Sequence, residues 1–132
     1  MTVRFDAIGM IVSDMANTLA FYRNLGLDIP PEADQGGHAE ATLPGEIRLM
    51  WDTVATVTSF SEWDPPAGGH RMSLAFLCEN PAAVDSKYAH LVDEGYRSYL
   101  APFDAFWRQR YATVLDPDDN PVDLFAALSA DS

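Results

Sequence analysis

Cysteine, histidine and positive charge are all scarce in this chain. A single cysteine, Cys78, in 132 residues excludes an internal disulfide and fits a reducing cytoplasm. Eight lysines and arginines stand against twenty acids, a net charge of −12. Such a surface repels nucleic acid and anionic membranes, so neither is expected as a partner. The charge either keeps the chain dissolved or steers cationic small molecules toward it. No apolar run approaches the roughly 20 residues of a membrane helix, and no signal-peptide pattern opens the sequence. A nucleophile elbow, a phosphate-cradling glycine loop and an ordered Ser/His/Asp set are missing too. Only His38, His70 and His90 offer imidazole. His38 and His70 both follow Gly-Gly and form the one conceivable histidine metal pair, whereas His90 falls in a helical segment.

What is present describes one globular domain, 1–132, with 48% hydrophobic residues and enough length for a core without staples. Its most informative stretch is Tyr111–Phe125. Two apolar runs, Tyr111–Leu115 and Pro121–Phe125, flank Asp116–Pro117–Asp118–Asp119–Asn120, the composition of a β-hairpin turn. Pro117 suits the first central turn position and Asn120 tolerates a left-handed backbone. Asp123 sits between Val122 and Leu124, so alternation turns it to the opposite face, toward whatever the sheet encloses.

Val3–Val12 alternates as a strand, and Asp14 then caps a helix in which Met15, Leu19 and Tyr22 recur at helical spacing. Gly26 stops it; Leu27–Ile29 reads as a short edge strand, ended by Pro30, Pro31 and an acidic loop through Gly37. His38–Leu43 and Glu46–Asp52 form a hairpin about Pro44–Gly45. Thr53–Gly69 has no period and reads as a long loop carrying Phe60 and Trp63. The pattern then repeats: strand Arg71–Cys78, and a helix opened by Asn80 and Pro81 with Val84, Tyr88 and Leu91 on its apolar stripe and Gly95 at its end. Strands Tyr96–Ala101, Phe106–Leu115 and Pro121–Phe125 follow. The fold class is thus α+β, two tandem βαβββ modules of about 1–56 and 68–128, with curved sheets expected around a cleft.

Three segments carry a resemblance: VSDMANTLAFYRNLGL (Val12–Leu27), SLAFLCENPAAVD (Ser73–Asp85) and DPDDNPVDLF (Asp116–Phe125). Together they resemble the vicinal oxygen chelate superfamily, which includes glyoxalase I, extradiol dioxygenases and bleomycin-resistance proteins; in the third segment the family usually shows Asp-Pro-Asp-Gly-Asn followed by an acid. The resemblance implies the paired-module fold and, in enzymes, a divalent metal held by two side chains of each module. The matching positions here are Ala7, Met50, Ser73 and Asp123, of which only Asp123 keeps a ligand type, so neither a metal nor another cofactor is expected. The resemblance also implies a homodimer with pockets at the subunit interface.

Aromatic residues cluster in the regions that line the family's cavity. Candidate ligand-binding residues are Met50, Trp51, Phe60, Trp63, Ser73, Phe103, Trp107, Gln109, Tyr111 and Asp123, with the rings for stacking and Ser73, Gln109 and Asp123 as polar anchors. Each ring has a plainer role as core packing, and Trp51, which alternates with Leu49, is open to both. Cys78 reads as a small buried hydrophobe. Two functions fit: non-catalytic sequestration of an aromatic or cationic small molecule, such as an antibiotic, or a glyoxalase/dioxygenase-like enzyme with a non-standard ligand set or acid–base chemistry from Asp123.

Overall fold

A parallel strand pair with a helix between its members opens the chain. The computed structural model describes residues 4–66 and 72–129, and the chain divides into two compact units, Met1–Ala67 and Gly68–Ser132. In the first, β1 (Ala7–Val12) is followed by α1 (Met15–Asn24), β2 (His38–Thr42), β3 (Arg48–Thr53) and a short α2 (Val54–Thr58). Asp14 starts α1, its Oδ1 accepting from the Asn17 backbone N–H at 3.0 Å, and Gly26 ends it with φ 95°. The sheet order is β1-β3-β2, with β1 parallel and β2 antiparallel to β3. Alternation buries Ala39, Ala41, Leu49 and Trp51 together with Val12, Leu19, Phe21 and Tyr22. The other face carries Arg48, Met50 and Asp52 beside His38 and Glu40.

Two expectations fail in this unit. Leu27–Ile29 is not a strand. The carbonyls there are taken by a side chain: Arg23 donates through Nε to the Ile29 oxygen at 3.0 Å and through Nη2 to the Pro30 oxygen at 2.8 Å. Pro30 and Pro31 offer no N–H for a ladder, so a 3-10 turn, Pro31–Gln35, forms instead. The segment read as an unbroken loop from Thr53 begins with α2. Its β-branched run disfavours a helix, but Thr53 caps it, Oγ1 accepting from the Thr56 N–H at 3.2 Å.

The second unit runs β4 (Leu74–Leu77), α3 (Pro81–Asp93), β5 (Ser98–Ala105), β6 (Gln109–Leu115) and β7 (Pro121–Ala127), and its four strands form a sheet of order β4-β7-β6-β5. Asn80 caps α3, accepting from the Ala83 N–H at 2.9 Å, and Gly95 closes it with φ 101°. The parallel pair β4/β7 encloses the crossover helix, and α3 lies against β6 and β7. Arg110 marks the helix-covered face, gripping Asp85 of α3 through Nε at 2.9 Å and Nη2 at 3.2 Å. Ala112, Val114, Val122 and Leu124 share that face and are essentially inaccessible, with Val84 and Leu91 of α3.

The strand expected over Tyr96–Ala101 runs on through Pro102 to Ala105. A proline is tolerated because β5 is the edge strand and its pairing with β6 is irregular there. Phe106 and Trp107, expected within the next strand, instead form with Arg108 a three-residue hairpin loop between Ala105 and Gln109. Arg108 takes the left-handed conformation (φ 68°) that ends such loops. In the closing turn the left-handed residue is Asp119 (φ 69°), not Asn120. No described helix is long and apolar enough to cross a membrane.

Candidate functional site

Asp123 is the centre from which the site is built. On β7 it faces away from the α3 side, pairs across with Thr113 of β6, and is only 8% exposed. A carboxylate so placed needs donors close by. Three hydroxyls supply them. Thr113 Oγ1 donates to Oδ1 at 2.7 Å; Tyr111 Oη at 2.6 Å and Ser73 Oγ at 3.1 Å both donate to Oδ2. Each comes from a residue on the same face of β6 or from the approach to β4, so the strand register alone assembles the cluster.

Burial and the neighbouring carboxylate together push the Tyr111 phenol up to about 12, from 10.0. Tyr111 therefore stays a neutral donor, and its oxygen keeps lone pairs free to accept from a ligand. A phenol raised in the folded state contributes stability that is complete below pH 10 and is lost as pH rises through about 12. Asp123→Asn should lower the Tyr111 midpoint without returning it to 10.0, since burial, the larger cause, remains. Phenolate absorbance of wild type and Asp123→Asn, each with Tyr111→Phe as its blank, reads this directly; an unmoved midpoint contradicts the coupling.

Beside this polar centre stands a wall of rings. Phe103 of β5 lies opposite Tyr111, with ring centroids 6.1 Å apart. Trp107, at the hairpin tip, meets Tyr111 at 5.3 Å and Phe103 at 6.2 Å, both nearly edge to face. Phe106 stands edge-on to Trp107 at 5.0 Å and is 93% exposed. Trp107 Nε1 donates to Gln109 Oε1 at 2.8 Å, which orients the indole and leaves the Gln109 amide hydrogens to be offered elsewhere. Phe103, Trp107, Gln109, Tyr111, Ser73 and Asp123 are thus brought together within the second unit.

The remaining candidates belong to the first unit. Trp51 is a correction: it is fully buried, 5.4 Å from the Tyr22 ring, and belongs to the core of the first unit. Its Nε1 has no hydrogen-bond partner among the described residues. Met50 lies on the opposite face of β3, beside Gly9 and Glu40. Phe60 (76% exposed) and half-buried Trp63 follow α2. Cys78 is partly exposed rather than fully buried, and desolvation pushes its thiol up, away from a reactive thiolate. His70 lies outside the described residues. His38 holds its Nδ1 2.6 Å from Asp52 and its Nε2 2.7 Å from Glu40.

Thr113 and the His38–Glu40–Asp52 cluster escaped the sequence reading, although a signal existed for both. Counting back from a turn over 116–120 sets residue 113 opposite 123; counting about Gly45 sets 38 opposite 52.

The resemblance implies a divalent metal, and the residues at the four matching positions do not fit one. Ala7 has no donor, Met50 offers a thioether unsuited to a hard cation, and the Ser73 hydroxyl is turned to Asp123. The Asp123 oxygens are already engaged by three hydroxyls. No group of three or more His, Cys, Asp or Glu is placed to hold a metal among the described residues.

Comparison with known proteins agrees with this architecture. Residues 4–124 match the model of the Glyoxalase/Bleomycin resistance protein/Dioxygenase superfamily. No curated protein matches the sequence. Among solved structures, a glyoxalase/bleomycin resistance protein/dioxygenase family enzyme from Burkholderia phytofirmans PsJN is 18% identical with a TM-score of 0.75, covering 96% of this chain and 100% of its own. A glyoxalase/bleomycin resistance protein/dioxygenase from Nocardioides is 20% identical with a TM-score of 0.74, covering 98% and 87%. A hypothetical protein from S. aureus reaches a TM-score of 0.78 at 13% identity, covering 96% and 95%. At such identities the likeness is one of fold.

Proposed function

This chain belongs to the glyoxalase/bleomycin resistance/dioxygenase superfamily, and we propose that within it the chain binds and sequesters a flat aromatic or cationic small molecule without converting it. The observation that carries this reading is the ring wall of the second unit. Trp107 is held by Gln109, steadied edge-on by Phe103 and Tyr111, and still 46% exposed. A preorganised indole face of this kind suits stacking, worth roughly 0.5–1.5 kcal/mol per ring pair beyond burial. The hydroxyls that surround Asp123 supply acceptors for ligand N–H groups, and the surplus of acids over bases favours a positive ligand.

Acid–base catalysis by Asp123 is less favoured, because both its oxygens are occupied and Tyr111 is held neutral. An antibiotic of planar aromatic type, bound for self-protection by a homodimer, is the form of the proposal that agrees best with the resemblance. The test is a tryptophan-quenching titration against aromatic antibiotics and flavins, beside elemental analysis and recovery of the ligand. Saturable quenching, with ligand returned unchanged, supports sequestration. Turnover of the ligand, or a stoichiometric divalent metal that turnover requires, overturns it.

A further inference from the structure

A second cluster of titratable groups belongs to the first unit, on the face of its sheet that carries His38, Glu40 and Asp52. His38 stands at the first position of β2 and Asp52 lies directly across from it on β3. Its Nδ1 is 2.6 Å from Asp52 Oδ1, and its Nε2 is 2.7 Å from Glu40 Oε2, two residues along the same strand. A neutral imidazole has one N–H and could serve only one of these carboxylates; the other would meet a ring lone pair. Both contacts are satisfied together only by the imidazolium. Arg48 continues the chain of alternating charge, holding Glu40 Oε1 through Nη1 at 2.9 Å and Asp6 Oδ2 through Nη2 at 2.6 Å.

We infer that His38 is a proton-dependent clasp, which ties the start of β2 to the end of β3 and so sets how firmly the segment after β3 is held. The position supports this. The backbone next to the clasp is shared: the Thr53 N–H donates to the Gly37 oxygen at 3.0 Å, and Thr53 is also the cap of α2. Gly37 itself lies so close to α2 that a Cβ there would collide with Thr56 Oγ1. Loosening the start of β2 therefore loosens the cap of α2, and with it the run to Pro66 that carries Phe60 and Trp63.

Among the described residues of the first unit, the charged groups facing His38 are Glu40 from its own strand and Asp52 from β3, with Arg48 behind Glu40 and Asp6 behind Arg48. The helix α2, of sequence VATVT, contributes none, and Asp34 of the 3-10 turn is turned to Arg23 at 2.8 Å. The two carboxylates raise the His38 midpoint above 6.5, hydrogen bonding to Glu40 first and to Asp52 second. A raised imidazole stabilises the fold fully below about 6.5 and loses that contribution as pH rises through its folded midpoint. On the acid side, His38 and then Arg48 lower the Glu40 midpoint below 4.5, so the clasp also weakens as Glu40 takes up a proton. Its contribution is complete between about 4.5 and 6.5 and fades on either side as each folded midpoint is passed.

Amide hydrogen exchange on the full chain tests the idea, with rates corrected for the intrinsic pH dependence. Protection over residues 39–42 and 53–61 should fall at least fivefold as pH crosses the His38 midpoint, while that of β6 and β7 stays constant. In His38→Gln the step should vanish. Glu40→Gln and Asp52→Asn, which keep the strand polar, should each shrink it and lower the imidazole midpoint read by NMR. A flat wild-type profile, an undiminished step in His38→Gln, or an imidazole midpoint unmoved in both carboxamide variants would overturn the inference. It stands or falls separately from ligand binding, because none of these readouts requires a ligand.

Discussion

Asp116→Ala should lower the unfolding free energy by about 1–3 kcal/mol, since three half-buried donors lose the one carboxylate that serves them. Asp116 is 2% exposed at the end of β6. Its Oδ1 accepts from the backbone N–H groups of Asp118 and Asn120, each at 2.9 Å, and its Oδ2 accepts from the Asn120 side-chain amide at 2.9 Å. One carboxylate thus folds the five-residue turn back on itself. The turn in turn fixes the register that sets Thr113 against Asp123 and Tyr111 against Phe125. Urea unfolding measures the loss, and Asp116→Asn, which keeps one acceptor oxygen, should lose less than the alanine variant. An alanine variant within about 0.5 kcal/mol of wild type would show that the turn does not depend on this residue.

Two tryptophans should behave oppositely when cut to alanine. Trp51 is wholly enclosed with Leu49, Tyr22 and Phe21, so Trp51→Ala is expected to cost about 3–5 kcal/mol of stability through lost burial and the cavity left behind. Trp107 is at a hairpin tip and nearly half exposed, so Trp107→Ala should cost less than about 1 kcal/mol of stability. Its effect belongs to binding: affinity for the quenching ligand should fall at least tenfold, about 1.4 kcal/mol. Paired urea melts and titrations separate the two outcomes. If Trp107→Ala binds as wild type does, the ring wall is packing, and the sequestration proposal loses its support.

The repeated order of elements was readable because its signals are local. Asp14, Asn80, Gly26 and Gly95 bound two helices through groups within a few residues of each other, and the structure ends both helices there. Asp123 could be assigned to a face from Val122 and Leu124 alone. The failures have equally local explanations of the opposite kind. Leu27–Ile29 lost its strand to Arg23, a residue whose reach no propensity records. Val54–Thr58 became helical through one cap, against its own composition. Phe106 and Trp107 left the strand because Arg108 accepts a left-handed backbone.

The site divides along the same line. That Asp123 departs from the apolar pattern and that rings crowd the last third of the chain follow from residue order alone. Which hydroxyls surround that carboxylate, which indole is core and which is open, and that His38 bridges two acids, depended on pairing between strands. Chemistry carried by neighbours along the chain is written in their order; chemistry carried by neighbours across a sheet exists only once the register has chosen them.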